Sequence, residues 1–284
     1  MSKGRFPFES GRFVRRAAGR PIARPGLMAR LDDADEMVVL VGGTGAGKST
    51  LLDAWVVGRG GVFVDLACES LDAVPDDGVV AVDSATAGDV AALRRRRGVV
   101  VAVEHDPGIA GVVRVSPYEL GFAEDETYQV LAAAFGDAEA ADVLAPDLHL
   151  LTNGWPGLVS LAASWLAQHP ALKRRERLVA LARSEAGLAE YLIPAVVAGL
   201  TEHDRELVRR MAGLPGLDAR TADRLDITED LGPVAPFVQG LLRRPGWFVV
   251  PEGWKAALRA ELPLSAAEAE RLAGGFLAVL GQSR

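Results

Sequence analysis

The first part of this 284-residue sequence predicts an α/β fold with a parallel β-sheet, and the second part predicts packed helices. Five short Val-rich runs lie between residues 24 and 115, at 37–41, 62–66, 79–82, 99–103 and 112–115. Continuous apolar runs of this length are typical of strands that helices cover on both faces. Because helical stretches separate these runs, a parallel sheet is favoured over hairpins.

The segment after the first predicted strand is rich in glycine and leads into a helix predicted over 48–57. It matches the phosphate-binding pattern G-x-x-x-x-G-K-[ST], here called the P-loop, with Gly42, Gly43, Thr44, Gly45, Ala46, Gly47, Lys48 and Ser49. The glycines let backbone N–H groups approach a phosphate, and the positive end of the helix favours its charge. A dinucleotide motif fails because Lys48 stands where a third glycine is needed. The pattern therefore predicts a nucleoside triphosphate site.

Side chains of the P-loop have expected roles in this site. Lys48 is expected to contact the β- and γ-phosphates and to act in catalysis, while the Ser49 hydroxyl is expected to bind Mg²⁺. Thr50 continues the segment and is counted among the nucleotide-binding residues.

Such a site also needs an acid near the metal, at the end of a neighbouring strand. Asp83 follows the run 79–82 and is the predicted metal-binding and catalytic aspartate, with Asp65 as the alternative. Ser84 follows Asp83, at the place where many P-loop ATPases carry a second acid that polarises water. The sequence therefore predicts slow or absent hydrolysis and leaves enzymatic activity open.

Two charged segments have alternative explanations. Glu104 and His105 follow the fourth predicted strand and are candidates for a polar sensor of the γ-phosphate, but a turn closed by Asp106 and Pro107 explains them equally. The arginine run 94–97 is expected to be a solvated helix end, with a phosphate contact as the alternative.

The pattern changes after Pro117, where amphipathic segments replace the Val-rich runs. Helices are predicted over 123–135, 156–167, 172–184 and 188–200. The segment 203–262 predicts short helices and a small β-hairpin or wing around 247–254, and Ser265 with Glu268 predicts a capped last helix over 265–280. The expected division is a basic tail (1–20), a nucleotide-binding domain (21–118), a helical lid (119–185) and a winged-helix-like domain (186–284).

Four elements in this order resemble the STAND class of signal-transduction ATPases, in particular the maltose-regulator-like branch of LuxR-family transcriptional regulators. They are the lead-in 22–31, the P-loop with 51–55, the segment 115–122, and the segment 151–158 with its Gly154-Trp155-Pro156. The resemblance implies a switch operated by ATP or ADP, with Mg²⁺. In the resembled proteins the helical and winged-helix domains close over the bound nucleotide. It also implies that Ile22, Ala23 and Arg24 lie near the base and Pro156 near the adenine or ribose. Ser84 and the pair Glu104-His105 depart from the resembled pattern, which has a second acid and an arginine there.

Composition limits the remaining classes. The single cysteine, Cys68, excludes a disulfide framework, and no apolar run is long enough for a membrane span, so a cytoplasmic protein is expected. The net charge of −7 includes a basic stretch over residues 1–24, which is expected to be a solvated, flexible terminus, with a contact to nucleic acid or another anionic partner as the alternative.

The partners follow from the resemblance and from the chain length. Besides the nucleotide, they are a protein partner or an output domain beyond this chain, with nucleotide-dependent oligomers and DNA also possible. Trp247 and Trp254 flank the predicted wing and are expected in a small core, and a DNA contact by Arg243 and Arg244 is the minority interpretation. The two rival functions are an active P-loop ATPase or kinase and a DNA-binding winged-helix protein with an attached ATPase.

Overall fold

The computed structural model describes most of the chain after the basic tail. The described residues are 22–34, 36–43, 45–182, 197, 200, 202–225, 227, 239–240, 248–250 and 252–281. The predicted tail, Thr44, nearly all of the helix predicted at 188–200, and Arg243, Arg244 and Trp247 of the predicted wing lie outside them.

The five Val-rich runs form a five-stranded parallel sheet, as predicted. The strands are β1 (Val38–Val41), β2 (Val62–Asp65), β3 (Val80–Asp83), β4 (Val99–Val103) and β5 (Val113–Val115). Their order is β2-β3-β4-β1-β5, so β4 lies between the strand before the P-loop and the strand that ends at Asp83. β1, β3 and β4 are buried throughout, because they are the inner strands of a sheet covered on both faces.

Three helices cover this sheet, namely α1 (Pro25–Asp32), α2 (Lys48–Val57) and α3 (Ala87–Leu93). Alternate β1 side chains contribute to two separate cores. Val38 and Leu40 belong to the core that contains α2, and Val39 and Val41 belong to the core that contains α3. This alternation agrees with α2 and α3 covering opposite faces of the sheet.

The second part of the chain is helical, as the loss of Val-rich runs predicts. The helices are α4 (Pro117–Leu120), α5 (Glu124–Phe135), α6 (Ala138–Thr152), α7 (Pro156–Ala167) and α8 (Ala171–Ala182). The predictions for α5 and α7 are confirmed to within one residue. The helix predicted over 172–184 is confirmed up to Ala182.

Helix α6 is absent from the sequence prediction. Pro146 lies in its interior, where the ring removes a backbone donor and normally interrupts a helix. The helix forms because Leu144, Leu148 and Leu151 recur at helical spacing and are buried against the neighbouring helices. Tertiary packing therefore outweighs the local cost of the proline.

The C-terminal part contains helices and one small antiparallel pair of strands. They are α9 (Glu202–Gly213), α10 (Ala219–Arg224), β6 (Gln239–Gly240), β7 (Phe248–Val249), α11 (Glu252–Glu261) and α12 (Ala266–Gly281). The capping box of the last helix is confirmed by the reciprocal hydrogen bonds between Ser265 and Glu268. None of the helices in the described part of the chain is long and apolar enough to cross a membrane.

The β-hairpin predicted around 247–254 is confirmed as an antiparallel strand pair, but its predicted extent is wrong. β7 pairs with residues that precede it, and the residues after Val250 begin α11 instead of a returning strand. Trp254 is therefore helical and buried, and its indole Nε1 donates a 3.0 Å hydrogen bond to the carbonyl of Leu151 at the end of α6. This contact attaches the C-terminal helices to the helical middle of the chain.

Candidate functional site

The P-loop connects the end of β1 to the first turn of α2. Gly45 and Gly47 have φ values of +81° and +84°, in the left-handed region that side-chain-bearing residues rarely adopt. Gly47 directly precedes Lys48, the first residue of α2. Gly45 and Gly47 are therefore needed for the backbone conformation in which this loop leads into the N-terminus of α2.

The side chain of Lys48 lies along the inside of the loop. Its Nζ donates hydrogen bonds to the carbonyl oxygens of Gly42 and Gly43, the second at 3.1 Å. Burial lowers the pKa of Lys48, and the nearby carboxylates of Asp83 and Glu104 oppose this shift. The ammonium group therefore faces both acids at the carboxyl edge of the sheet.

Asp83 is the predicted metal-binding aspartate, and the structure places it at that edge. It ends β3 and is only 8% exposed, and its Oδ1 accepts a 2.9 Å hydrogen bond from the backbone N–H of Ser84. Ser84 has φ of +59°, and its hydroxyl donates a 2.9 Å hydrogen bond to Asp65 Oδ1. Asp65, the alternative acid, is the register partner of Asp83 on β2, one strand farther from the P-loop.

Glu104 lies between the P-loop and Asp83. Val103 pairs with Val41, so the next residue along β4, Glu104, is level with Gly42, whose N–H donates to the Val103 carbonyl at 3.2 Å. The side chain of Glu104 is exposed. The turn interpretation also holds for Asp106, which accepts hydrogen bonds from Gly108 N–H and from Arg114.

The neighbouring residue, His105, contacts the C-terminal part of the chain. Its Nε2 lies 3.6 Å from Oδ2 of Asp204 in α9, an ion-pair distance when the imidazole is protonated. Asp204 is buried, while the His105 side chain is about half exposed. The strand end that carries Glu104 is thus in contact with the C-terminal helices.

The start of α7 packs directly on the P-loop. The backbone N–H of Gly157 donates a 2.8 Å hydrogen bond to the carbonyl of Gly45. A Cβ on Gly45 would lie 3.0 Å from Trp155 Nε1, and a Cβ on Gly47 would lie 3.4 Å from the Pro156 ring. Trp155 itself is 2% exposed. Pro156, which the resemblance places near the adenine or ribose, therefore lies beside the P-loop.

A cavity of about 310 Å³ opens next to this contact. Its lining combines aromatic rings with polar groups from three segments, Tyr118, Phe122, His149, Asn153 and Trp155 among them. His149 is fixed through a 3.2 Å hydrogen bond between its Nδ1 and the hydroxyl of Thr127.

Arg24, in the lead-in segment 22–31, forms hydrogen bonds with the helices that follow the sheet. Its guanidinium donates to both carboxylate oxygens of Glu126 and to the carbonyls of Leu120 and Gly121, and it lies 5.3 Å from the centre of the Phe122 ring. These contacts attach the lead-in to α4 and α5. Its expected place near a base stays a prediction.

One sequence interpretation, for the arginine run, concerns a different surface of the molecule. The arginine run 94–97 immediately precedes β4, at the amino end of the sheet and therefore opposite the P-loop, and Arg96 donates to the carbonyl of Pro75. A phosphate contact by this run within the site is therefore wrong. The packing of Gly157 on Gly45 was missed by the sequence reasoning, and its signal was the glycine that directly follows Trp155-Pro156.

A P-loop between a buried strand and a helix, in a parallel sheet with one strand separating the P-loop strand from the Asp83 strand, defines a P-loop NTPase module. Neither models of known protein families nor curated proteins match this sequence. Among solved structures, RuvB of Thermotoga maritima, a Holliday junction branch migration motor, is 14% identical with a TM-score of 0.45, covering 87% of this chain and 99% of RuvB. A Walker-type ATPase of Pyrococcus abyssi is 14% identical with a TM-score of 0.44, covering 82% and 93%.

Proposed function

We propose that this chain is the nucleotide-operated switch module of a STAND-type regulator, which binds ATP or ADP with Mg²⁺ and hydrolyses ATP slowly or not at all. The observation that carries the proposal is the packing of Trp155, Pro156 and Gly157 on the P-loop glycines. A P-loop that adjusts to its nucleotide must move this helix start with it, because there is no free space between them.

The groups at the carboxyl edge fit a nucleotide with its metal ion. Lys48 now donates to two carbonyls of its own loop, and phosphate oxygens would replace them as stronger, charged acceptors. Ser49 is exposed in the first turn of α2, and Asp83 has one oxygen fixed by Ser84. A hydroxyl and a carboxylate are ligands that Mg²⁺ favours, and the bound ion would neutralise phosphate charge.

The cavity beside α7 is the proposed site of the base. Its volume is within the range of small-molecule sites, and the rings of Tyr118 and Phe122 offer apolar faces for a planar heterocycle. Pro156 follows the lining residue Trp155 and packs against Gly47 of the P-loop, which supports the place near the adenine or ribose that the resemblance implies for it. The preference for adenine rests on the resemblance.

Slow hydrolysis is supported by the orientation of Ser84. This residue occupies the place of the usual second acid, but its hydroxyl donates to Asp65 on the edge strand, away from the P-loop. It therefore offers no base to water near the phosphates.

The switch would operate through the contacts between domains. The proposed units are 21–118, 119–185 and 186–284, the last being winged-helix-like with β6 and β7 in its wing. The Trp254–Leu151 hydrogen bond and the His105–Asp204 contact join the last unit to the other two. A nucleotide that favours one arrangement of these contacts would shift the population toward it. The output would go through a protein partner, a further domain or a nucleotide-dependent oligomer in the cytoplasm.

The proposal is tested by nucleotide binding to the purified chain. Denaturation should release ADP or ATP, and calorimetric titration should show that Lys48→Ala weakens Mg²⁺-nucleotide binding about 100-fold, because charged hydrogen bonds to phosphate are lost. Lys173→Ala is the control, since Lys173 is exposed on α8 and pairs only with Glu176 among the described contacts. Full affinity in Lys48→Ala would contradict the proposed site.

A further inference from the structure

We propose that Glu104 is the acid that activates water in this site, taking the place of the acid that is missing after Asp83. The inference rests on the proposed function, because it concerns the terminal phosphate of the same bound nucleotide. It goes beyond that function by assigning a catalytic residue and by predicting that ATP hydrolysis, although slow, is real.

The strand order gives Glu104 a position that Ser84 does not have. β4 is hydrogen-bonded to β1 on one side and to β3 on the other, and Glu104 is the first residue after it. Neighbouring strands lie about 4.8 Å apart, so Glu104 begins one strand spacing from the start of the P-loop. Asp83 begins two spacings away, and Asp65 three. The backbone of Glu104 therefore lies one strand nearer to the start of the P-loop than the backbone of Asp83.

The charges agree with this placement. The Glu104 carboxylate, like that of Asp83, attracts the Lys48 ammonium. Lys48 is the residue expected to contact the β- and γ-phosphates. Glu104 is level with Gly42, whose carbonyl oxygen accepts a hydrogen bond from Lys48 Nζ, so its side chain starts beside the residue that this ammonium contacts.

Other acids at this edge already have partners or another role. Asp65 accepts hydrogen bonds from the Ser84 hydroxyl and from Ala67 N–H, and Asp106 is paired with Arg114. Asp83 is the proposed metal ligand. Within the described residues, the Glu104 carboxylate makes no hydrogen bond, and its side chain is exposed at the site. It is therefore the carboxylate that remains available to a water molecule.

The reaction step needs only water as co-reactant. The water oxygen forms a bond to the terminal phosphorus while the bond from that phosphorus to the bridging oxygen breaks, and ADP leaves with the bonding electron pair. Glu104 accepts one proton of the attacking water and then returns it to the released phosphate or to solvent. General base catalysis of this kind typically contributes 10²–10⁴-fold to a rate.

The test is Glu104→Gln in the full chain, which preserves shape and removes the base. Single-turnover hydrolysis of Mg²⁺-ATP should slow at least about 100-fold, while ATP affinity is not reduced, because the variant removes a negative charge from the phosphate side. After incubation with ATP, the variant should release ATP on denaturation where the natural chain releases ADP. This second measurement reports the bound species directly.

Glu139→Gln is the matched control. Glu139 is exposed in the first turn of α6, roughly 20 Å along the helix from Thr152. The Glu139→Gln variant should hydrolyse ATP at the same rate as the natural chain. Hydrolysis at the natural rate in Glu104→Gln, or ATP binding without any hydrolysis in the natural chain, would overturn the role of Glu104 and leave the switch intact. If the natural chain binds no nucleotide, the proposed function itself fails.

Discussion

The two sides of the candidate site are built in different ways. On the phosphate side, Asp83 and Glu104 lie at the ends of parallel strands and Lys48 lies at the start of α2, and each is positioned by the strand or loop next to it in sequence. On the lid side, Trp155 and Gly157 are far from the P-loop in sequence and are held against it by close packing. The phosphate side therefore carries the charged groups, and the lid side restricts the movement of the P-loop by close packing.

Because of this difference, substitutions on the two sides should have different effects. A change on the phosphate side that keeps the shape of the side chain should alter binding or reaction while leaving the fold intact, because it removes a charge without creating a clash or a cavity. A change on the lid side should first destabilise the fold, because the glycines there have neighbours where a Cβ would stand. The predictions below test this separation.

Gly154→Ala should have the largest effect, on stability. Gly154 has φ of +66°, and a Cβ there would lie 2.2 Å from the carbonyl oxygen of Phe122 and 2.9 Å from Cε1 of His149. Backbone strain and a clash with backbone should together cost about 3 kcal/mol or more in the free energy of unfolding, measured by urea denaturation.

Gly136→Ala separates the strain from the clash. Gly136 ends α5 with φ of +63°, but a Cβ there would meet no atom within 4 Å. Its expected cost is about 1 kcal/mol, from the left-handed conformation alone. Equal losses in the two variants would mean that packing around Gly154 contributes nothing.

Asp83→Asn should have the next largest effect, on metal-dependent binding. The amide keeps the shape of the side chain but removes the charge that Mg²⁺ favours, so affinity for Mg²⁺-ATP should fall about 10- to 100-fold. Binding measured with a chelator present should change much less, because the P-loop itself is unaltered. Asp65→Asn is the comparison, since Asp65 is the rival acid one strand away. A larger metal-dependent loss in Asp65→Asn would reverse the assignment.

The same separation explains what could be predicted from sequence. The five strands and the P-loop were predictable because buried Val-rich runs and a phosphate-binding pattern are local signals. Helix α6 was not, because Pro146 opposes it locally and only the burial of its leucines against other helices restores it. The end of the wing was predicted wrongly, because Glu252, Gly253 and Trp254 read as a turn, whereas Trp254 is buried in α11 and bonded to Leu151.

Site residues divide in the same way. Lys48 and Asp83 were expected from their place after apolar strands, and Glu104 was left open between a sensor and a turn. The strand order decides its surroundings, because the pairing of β4 between β1 and β3 brings it level with Gly42, to which Lys48 donates a hydrogen bond. The contact between Gly157 and Gly45 depends on tertiary packing, so the glycine after Trp155-Pro156 could signal a close approach but could not identify its partner.

Gly157→Ala should have the smallest effect and is the most direct test of the lid side. A Cβ there would lie 3.1 Å from both Cα and the carbonyl oxygen of Gly45, so the helix start must move by a few tenths of an ångström. We expect a loss of about 1 kcal/mol in unfolding free energy and a few-fold loss of nucleotide affinity, measured by denaturation and titration. Gly26→Ala is the matched control, because Gly26 also follows the first proline of a helix but has no neighbour within 4 Å of a Cβ. It should be neutral or stabilising by up to about 1 kcal/mol. If Gly157→Ala lowers stability but leaves affinity unchanged, the contact supports the fold without transmitting the state of the P-loop, and the proposed switch loses its connection to α7.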